Sequence, residues 1–257
     1  MSKLAKTSLP PIAALLLVVA AWQACERMFD PPKYLLPSPL EVVSAILKDP
    51  GKLVRATWRT AIAAVAALAI SIVAGTLTGL LFSQSALLRR SLYPYAIFLQ
   101  TVPIIAVAPL IVLWLGYGTA SIVTVAVIIS LFPVITAATA GLTHLDPLLV
   151  DFFTLHHASR WQTLWKLRLP TAVPSIITGA KTSSGLAVIG AIVGEFFTGY
   201  GTNDYGLGFL IRVTADQSRT AELFAAVLAS TALGVMIFAA VSSAGAVILN
   251  RWYDPAH

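Results

Sequence analysis

The stretch DFFTLHHASRWQTLWKLRLP, residues 151–170, decides how this chain is read. It is polar and basic, carrying His156, His157, Arg160, Lys166 and Arg168, while its surroundings are almost continuously apolar. SIVTVAVIISLFPVITAATAGL precedes it and LAVIGAIVG follows closely after it. Within the stretch, Phe152, Leu155, Trp161, Leu164, Trp165 and Leu167 recur at helical spacing, and Ser159 stands where it can cap a second helix beginning at Arg160. Pro170 and Pro174 remove backbone donors and are expected to bend the chain into the next apolar run. The pattern predicts a short helix-turn-helix lying across a membrane face between two spanning helices. Composition by itself favours the plainer reading, a solvated, basic interfacial loop.

Working outward, 58% of the 257 residues are hydrophobic and only 11% are charged, with a mean hydropathy of +0.84. Soluble domains carry about 25% charged residues, so the sequence describes an integral membrane protein. The formal charge of +6 does not indicate nucleic acid, because the basic residues lie between long apolar runs rather than clustered with aromatics. Anionic headgroups and an acidic partner surface account for them better. Cys25 is the single cysteine, which excludes an intrachain disulfide and a cysteine metal cluster.

A bilayer core of about 30 Å needs roughly 20 apolar residues in a helix. Six runs meet or approach this length: Leu9 to Cys25, Ala61 to Phe82, Tyr95 to Leu115, Ala120 to Leu142, Val173 to Phe197 and Ala221 to Leu249. The first is read as a retained helix. Lys3 and Lys6 before a short run also describe a signal peptide, and Ala24-Cys25 faintly resembles a lipoprotein cleavage site. With the N-terminus inside, Lys3, Lys6, Arg89, Arg90, Arg160, Lys166, Arg168 and Arg251 fall on the cytoplasmic side, as does the C-terminus, and Arg212 and Arg219 fall outside. The loop from Glu26 to Thr60 disagrees, with Arg27, Lys33, Lys48, Lys52, Arg55 and Arg59 on the outer side. Its PSPLEVVSAILKDPGKLVRATW segment reads as one amphipathic helix, capped by Ser38, along the membrane surface.

Other positions carry physical hints. Pro103 and Pro109 lie inside the third run, and each frees a carbonyl that neighbours or a wet cavity must satisfy. With Gln100 and Thr101 one turn away, a solute-path lining and a packed kink are equally good readings. Gly75 and Gly79 form a small-xxx-small packing contact. In the fifth run Ser183, Ala187, Gly190 and Gly194 make one stripe of small residues, and Lys181, Gly185, Val188, Ile192 and Glu195 make the opposite one. Lys181 and Glu195 are about 21 Å apart along a helix and cannot pair. Both lie within reach of an interface, and both, with Ser184, join Gln100, Thr101 and Pro103 as candidates for the translocation path. Enzyme chemistry is not indicated. His144, His156, His157 and His257 offer no metal spacing on one helix face, and no Gly-Lys-Ser/Thr loop exists, the glycines Gly199, Gly201, Gly206 and Gly208 included.

Residues 151–170 resemble the cytoplasmic coupling loop of permeases of binding-protein-dependent ABC importers. That signature is Glu-Ala-Ala, three residues, Gly, nine residues, Ile, one residue, Leu-Pro. Here Asp151-Phe152-Phe153, His157, Leu167 and Leu169-Pro170 occupy those places, with Phe for Ala twice and His for Gly. The segments VPIIAVAPLIVLWLGYG, PSPLEVV, ASRWQTLWKLRLPTAVPSIITGAK and GEFFTGYGTNDYGLGFLI are similar to permeases for nitrate, sulfonates, taurine and thiamine-precursor pyrimidines. The resemblance implies an all-α, multi-pass subunit of about six transmembrane helices in the cell inner membrane. It implies one permease domain, with residues 1–60 as N-terminal helix and lead-in, 61–249 as core and 144–174 as the coupling loop.

Its implied partners are a second permease chain, forming a homodimer, two cytoplasmic ATPase subunits holding ATP and Mg, an extracytoplasmic solute-binding protein and the lipid bilayer. This chain itself binds no cofactor or metal. Its implied role is to pass a small sulfonate-, nitrate- or pyrimidine-like solute. Coupling falls to Asp151, His156, His157, Ala158, Ser159, Arg160, Trp161, Leu169 and Pro170. The alternative is a secondary transporter driven by an ion gradient, which predicts internal duplication and midplane charges on broken helices. An intramembrane enzyme ranks third.

Overall fold

Three helices of small residues make the centre of this molecule, as seen in a computed structural model that describes residues 2–198 and 205–252. Gly199, Gly201 and His257 lie outside the described residues. In chain order the helices are α1 (Ser2–Phe29), α2 (Pro39–Lys48), α3 (Pro50–Gln84), α4 (Ala86–Thr101), α5 (Ile104–Leu115), α6 (Thr119–Thr143), α7 (Pro147–Leu155) and α8 (Arg160–Thr163). A π turn (Leu164–Arg168) then leads into α9 (Leu169–Thr198), followed by α10 (Leu207–Asp216) and α11 (Thr220–Trp252). Among the described residues five helices are long and apolar enough to cross a membrane, or six if α4 and α5 count as one.

The core is α3, α6 and α9. Ala64, Ala67, Ala126, Ala187 and Ala191 are buried between them, and glycines set the separation. A Cβ at Gly75 would stand 2.7 Å from Val134 Cβ, one at Gly79 2.7 Å from Ala138 Cβ, and one at Gly190 2.5 Å from Ala126 Cα. Lipid tails are as apolar as leucine, so close packing and internal hydrogen bonds hold such helices together. Ser71 and Ser130 share a 2.8 Å bond, and Ser183 Oγ donates to Ser130 O at 2.6 Å. Both small-residue motifs seen in the sequence are therefore helix seams.

The lead-in differs from the single amphipathic helix expected. Ser38 does cap α2, in a capping box with Glu41, but α2 ends at Lys48 and α3 starts at Pro50. Pro50 disfavours helical geometry for the residue before it, and Asp49 sits at φ −144°, its carboxylate accepting from Lys52 N. The third apolar run is also broken. Its two parts, α4 and α5, meet at 98°, because Pro103 cannot donate to the preceding turn and Val102 is extended. Pro170 and Pro174, by contrast, interrupt nothing. In the π turn Leu169 N donates to Leu164 O, and α8 runs through it into α9 as one continuous helix.

Two ends of the bundle follow from contacts between distant segments. At one end Arg168 Nη1 donates to Ser83 O, joining the α8–α9 junction to the end of α3. At the other, Trp22 Nε1 donates to Pro37 O and Thr220 Oγ1 to Tyr34 O, gathering the lead-in, the end of α1 and the start of α11. The first end carries Lys3, Lys6, Arg89, Arg90, Arg160, Lys166, Arg168 and Arg251 against Asp146 and Asp151. At the second, Arg27, Lys33, Lys48, Lys52, Arg55, Arg59, Arg212 and Arg219 are nearly balanced by Glu26, Asp30, Glu41, Asp49, Asp216 and Glu222.

Candidate functional site

The opening stretch forms two helices joined by a tight corner, and each half of the corner has its own backbone logic. Asp146 caps α7 by accepting from Leu148 N at 2.9 Å, with Pro147 in the first turn. The helix stops because His157 turns left-handed, at φ +49°. His157 N donates to Thr154 O and Ala158 N to Phe153 O, both at 3.0 Å. These are the two bonds of a Schellman ending, with His157 in the position glycine usually takes. The next residue starts α8: Ser159 Oγ accepts from Gln162 N at 3.2 Å while Gln162 Oε1 accepts from Ser159 N at 2.8 Å. His156, His157 and Ala158 thus make the whole corner.

No residue of α7 is buried. Leu155 is 77% exposed and Phe152 is exposed beside it, its ring 4.3 Å from that of His156. Asp151, His156, His157, Ser159 and Arg160 are all exposed, whereas Ala158, Leu169 and Pro170 are half-buried. Trp161 lines a groove with Leu77, Leu80 and Leu81 of α3. The structure therefore brings the corner residues together as one projecting tip and turns Trp161 toward α3.

The candidate path residues separate. Gln100, Thr101 and Pro103 stand exposed at the α4–α5 break. Lys181 is half-buried, its Cε against α11 near Gly245. Ser184 is buried, donating to Lys181 O at 2.7 Å. Glu195, one turn before the end of α9, is 2% exposed. Its Oε2 accepts from Thr60 Oγ1 at 2.9 Å and from Gly208 N at 2.8 Å, while Leu207 N donates to Thr60 Oγ1 at 2.8 Å. Glu195 and Thr60 thus satisfy the first amides of α10, whose N-terminus favours a negative charge. Gly206 lets the carboxylate fit, because a Cβ there would collide with it, and Gly208 lets α10 approach α9, because a Cβ there would collide with Ile192 O and Glu195 Cβ.

Three features escaped the sequence. One is α10 with its Thr60–Glu195 anchor. Another is the exposed pair Thr178 and Thr182 on α9, each bonded back to its own helix. The third is a cleft of about 700 Å³ at the second end, lined by Lys33, Glu41, Lys48, Lys52, Arg219 and Glu222. Lys33 and Glu41 pair there at 2.7 Å, which raises the ammonium pKa above its ordinary value and lowers the carboxylate's. Among the described residues, no three His, Cys, Asp or Glu side chains gather as a metal site.

Residues 67–256 match the family described as binding-protein-dependent transport system inner membrane component. The chain is 33% identical to the formylaminopyrimidine transport permease protein of Halalkalibacterium halodurans, covering 94% of this chain and 95% of that one. It is 31% identical to the riboflavin transport system permease protein of Chloroflexus aurantiacus, over 94% and 89% respectively. It is 27% identical to the taurine transport system permease protein of Escherichia coli, over 100% and 92%. With several bilayer-length helices and a match over most of its length, the chain belongs to the family of inner membrane permease subunits of binding-protein-dependent ABC importers.

Proposed function

We propose that two copies of this chain form the path of an ATP-driven importer, and that the tip at His156, His157, Ala158 and Ser159 couples it to a cytoplasmic ATPase. One observation carries the proposal: no residue of α7 is fully buried, and the helix holds Phe152 and Leu155 outward beside a corner fixed by two interlocking caps. A rigid, apolar and partly charged projection fits a docking groove. Asp151, Arg160 and Trp161 flank the tip, and Leu169-Pro170 joins it to α9, so a push on the tip reaches the core helix. The basic end is then cytoplasmic with both termini, and an external solute-binding protein meets the opposite end. ATP and Mg stay on the partner subunits.

The path runs past the α4–α5 break at Gln100, Thr101 and Pro103 and along the Thr178–Thr182 side of α9. Lys181 and Ser184 are one turn away, and Glu195 anchors α10 near the outer mouth. The solute is a small sulfonate-, nitrate- or pyrimidine-like molecule. The names of the two relatives at 31% and 33% identity favour a nitrogen heterocycle.

The test is the double substitution His157→Glu with Ala158→Asp, which adds negative charge at the tip without touching the core. The variant should reach the membrane at normal abundance, lose the ATPase subunit on detergent pull-down and lose uptake. Unchanged retention with unchanged uptake would place the coupling site elsewhere.

A further inference from the structure

Beside the tip, between the last two turns of α3 and the start of the α8–α9 helix, lies an open groove of about 560 Å³. Leu80 and Leu81 supply one wall and Leu164 the floor, while Trp161 and Trp165, 69% and 65% exposed, flank the opening. These tryptophans are four residues apart and share one helix face. Gln84 and Arg160 stand at the polar end of the groove. α3 ends at Gln84, so the groove, reaching back to Leu77, covers about 10 Å of helix length. This is the depth at which headgroups give way to acyl chains and where tryptophan gathers.

The charges select among occupants. Arg168 is committed to Ser83 O, but Arg160 makes no ion pair or side-chain hydrogen bond among the described residues. Lys166 is exposed on the same helix, and Arg89 and Arg90 lie just past the end of α3. An apolar trough with a cationic mouth, at headgroup depth, complements a molecule with an anionic head and an apolar tail. We infer that this groove is a site for one anionic phospholipid, its acyl chain lying along Leu80, Leu81, Leu164 and Trp165 and its phosphate meeting the Arg160 guanidinium. The site belongs to the chain in a bilayer and does not depend on the ATPase reading. It divides the segment: the tip faces the aqueous side and the tryptophan face takes lipid.

The experiment reconstitutes the full chain in phosphatidylcholine vesicles doped with acyl-brominated phosphatidylglycerol or acyl-brominated phosphatidylcholine, bromine being a short-range quencher of tryptophan. Subtracting the Trp165→Phe signal isolates Trp165, and Trp161→Phe provides the same subtraction if the first variant does not insert. Half-quenching should require roughly fivefold less brominated phosphatidylglycerol than phosphatidylcholine, the worth of one basic side chain near an anionic lipid. In Arg160→Gln the preference should fall to near one, with quenching by phosphatidylcholine retained. Equal quenching by the two lipids in the unmodified chain would show ordinary annular lipid and overturn the site. Loss of quenching when the ATPase subunit binds would assign the groove to that partner and overturn it too.

Discussion

Gly185 and Gly190 sit five residues apart on α9 and should respond oppositely to alanine. A Cβ at Gly190 would stand 2.5 Å from Ala126 Cα and 3.1 Å from Ala126 Cβ. Carbon atoms prefer about 3.5–4.0 Å, so α6 and α9 must part by about 1 Å at that point. The neighbouring contacts are as tight: a Cβ at Gly194 would lie 2.8 Å from Ile122 Cα, and Ser183 holds Ser130 O at 2.6 Å. Overpacking of this kind costs about 1–3 kcal/mol. Alanine returns up to about 1 kcal/mol of helix propensity. At Gly185 a Cβ meets nothing within 4 Å, so only the propensity gain remains. The propensity gain is common to both sites, so Gly190→Ala should unfold about 1–3 kcal/mol more easily than Gly185→Ala. Unfolding in mixed detergent and denaturing micelles, followed by near-UV circular dichroism, measures the difference. Equal midpoints would refute the seam. If the open side of α9 borders the path, Gly185→Ala should slow uptake while leaving stability intact.

At the corner, His157→Gly should keep ATPase retention and raise stability by about 1 kcal/mol, because glycine enters the left-handed region without the strain a side chain imposes. His157→Val should weaken both retention and stability in the same pull-down and melting assays. Arg168→Ala removes the bond to Ser83 O and should cost about 1.5–3 kcal/mol, read by thermal melting. In the lead-in, Glu41's depressed pKa makes its stabilisation present above the ordinary carboxylate value of 4.5 and lost as pH falls through the lower folded value. Lys33's raised pKa makes its contribution present below 10.5 and lost as pH rises through the higher folded value. Proteolysis of the lead-in should therefore be flat between those limits and rise beyond either; a change near neutral pH would contradict the pairing.

The spans were legible because an apolar run of bilayer length has few other solutions in a chain with so little charge. The α9 stripe was legible for a related reason: Ser183, Ala187, Gly190 and Gly194 share a face whatever lies opposite. What escaped was decided by partners distant in sequence or by backbone geometry inside an apolar run. Thr60 meets Glu195 across 135 positions, so no local pattern marks Glu195 as an anchor for α10. The α4–α5 bend hides in uninterrupted hydrophobicity, where Pro103 permits either a kink or a full turn. The division of the lead-in at Asp49-Pro50 was covered by a continuous amphipathic rhythm. At the corner, His157 concealed a glycine-like conformation that the Schellman bonds reveal.

The central claim is that the corner at His157 meets the ATPase and that the opposite end does not. A photo-crosslinking amino acid placed at position 157, and separately at Tyr34, in the complex assembled in native membranes tests it most directly. The account predicts an ATPase adduct from position 157 and none from position 34. An ATPase adduct from position 34, with none from 157, would invert the topology and remove the coupling role from residues 151–170.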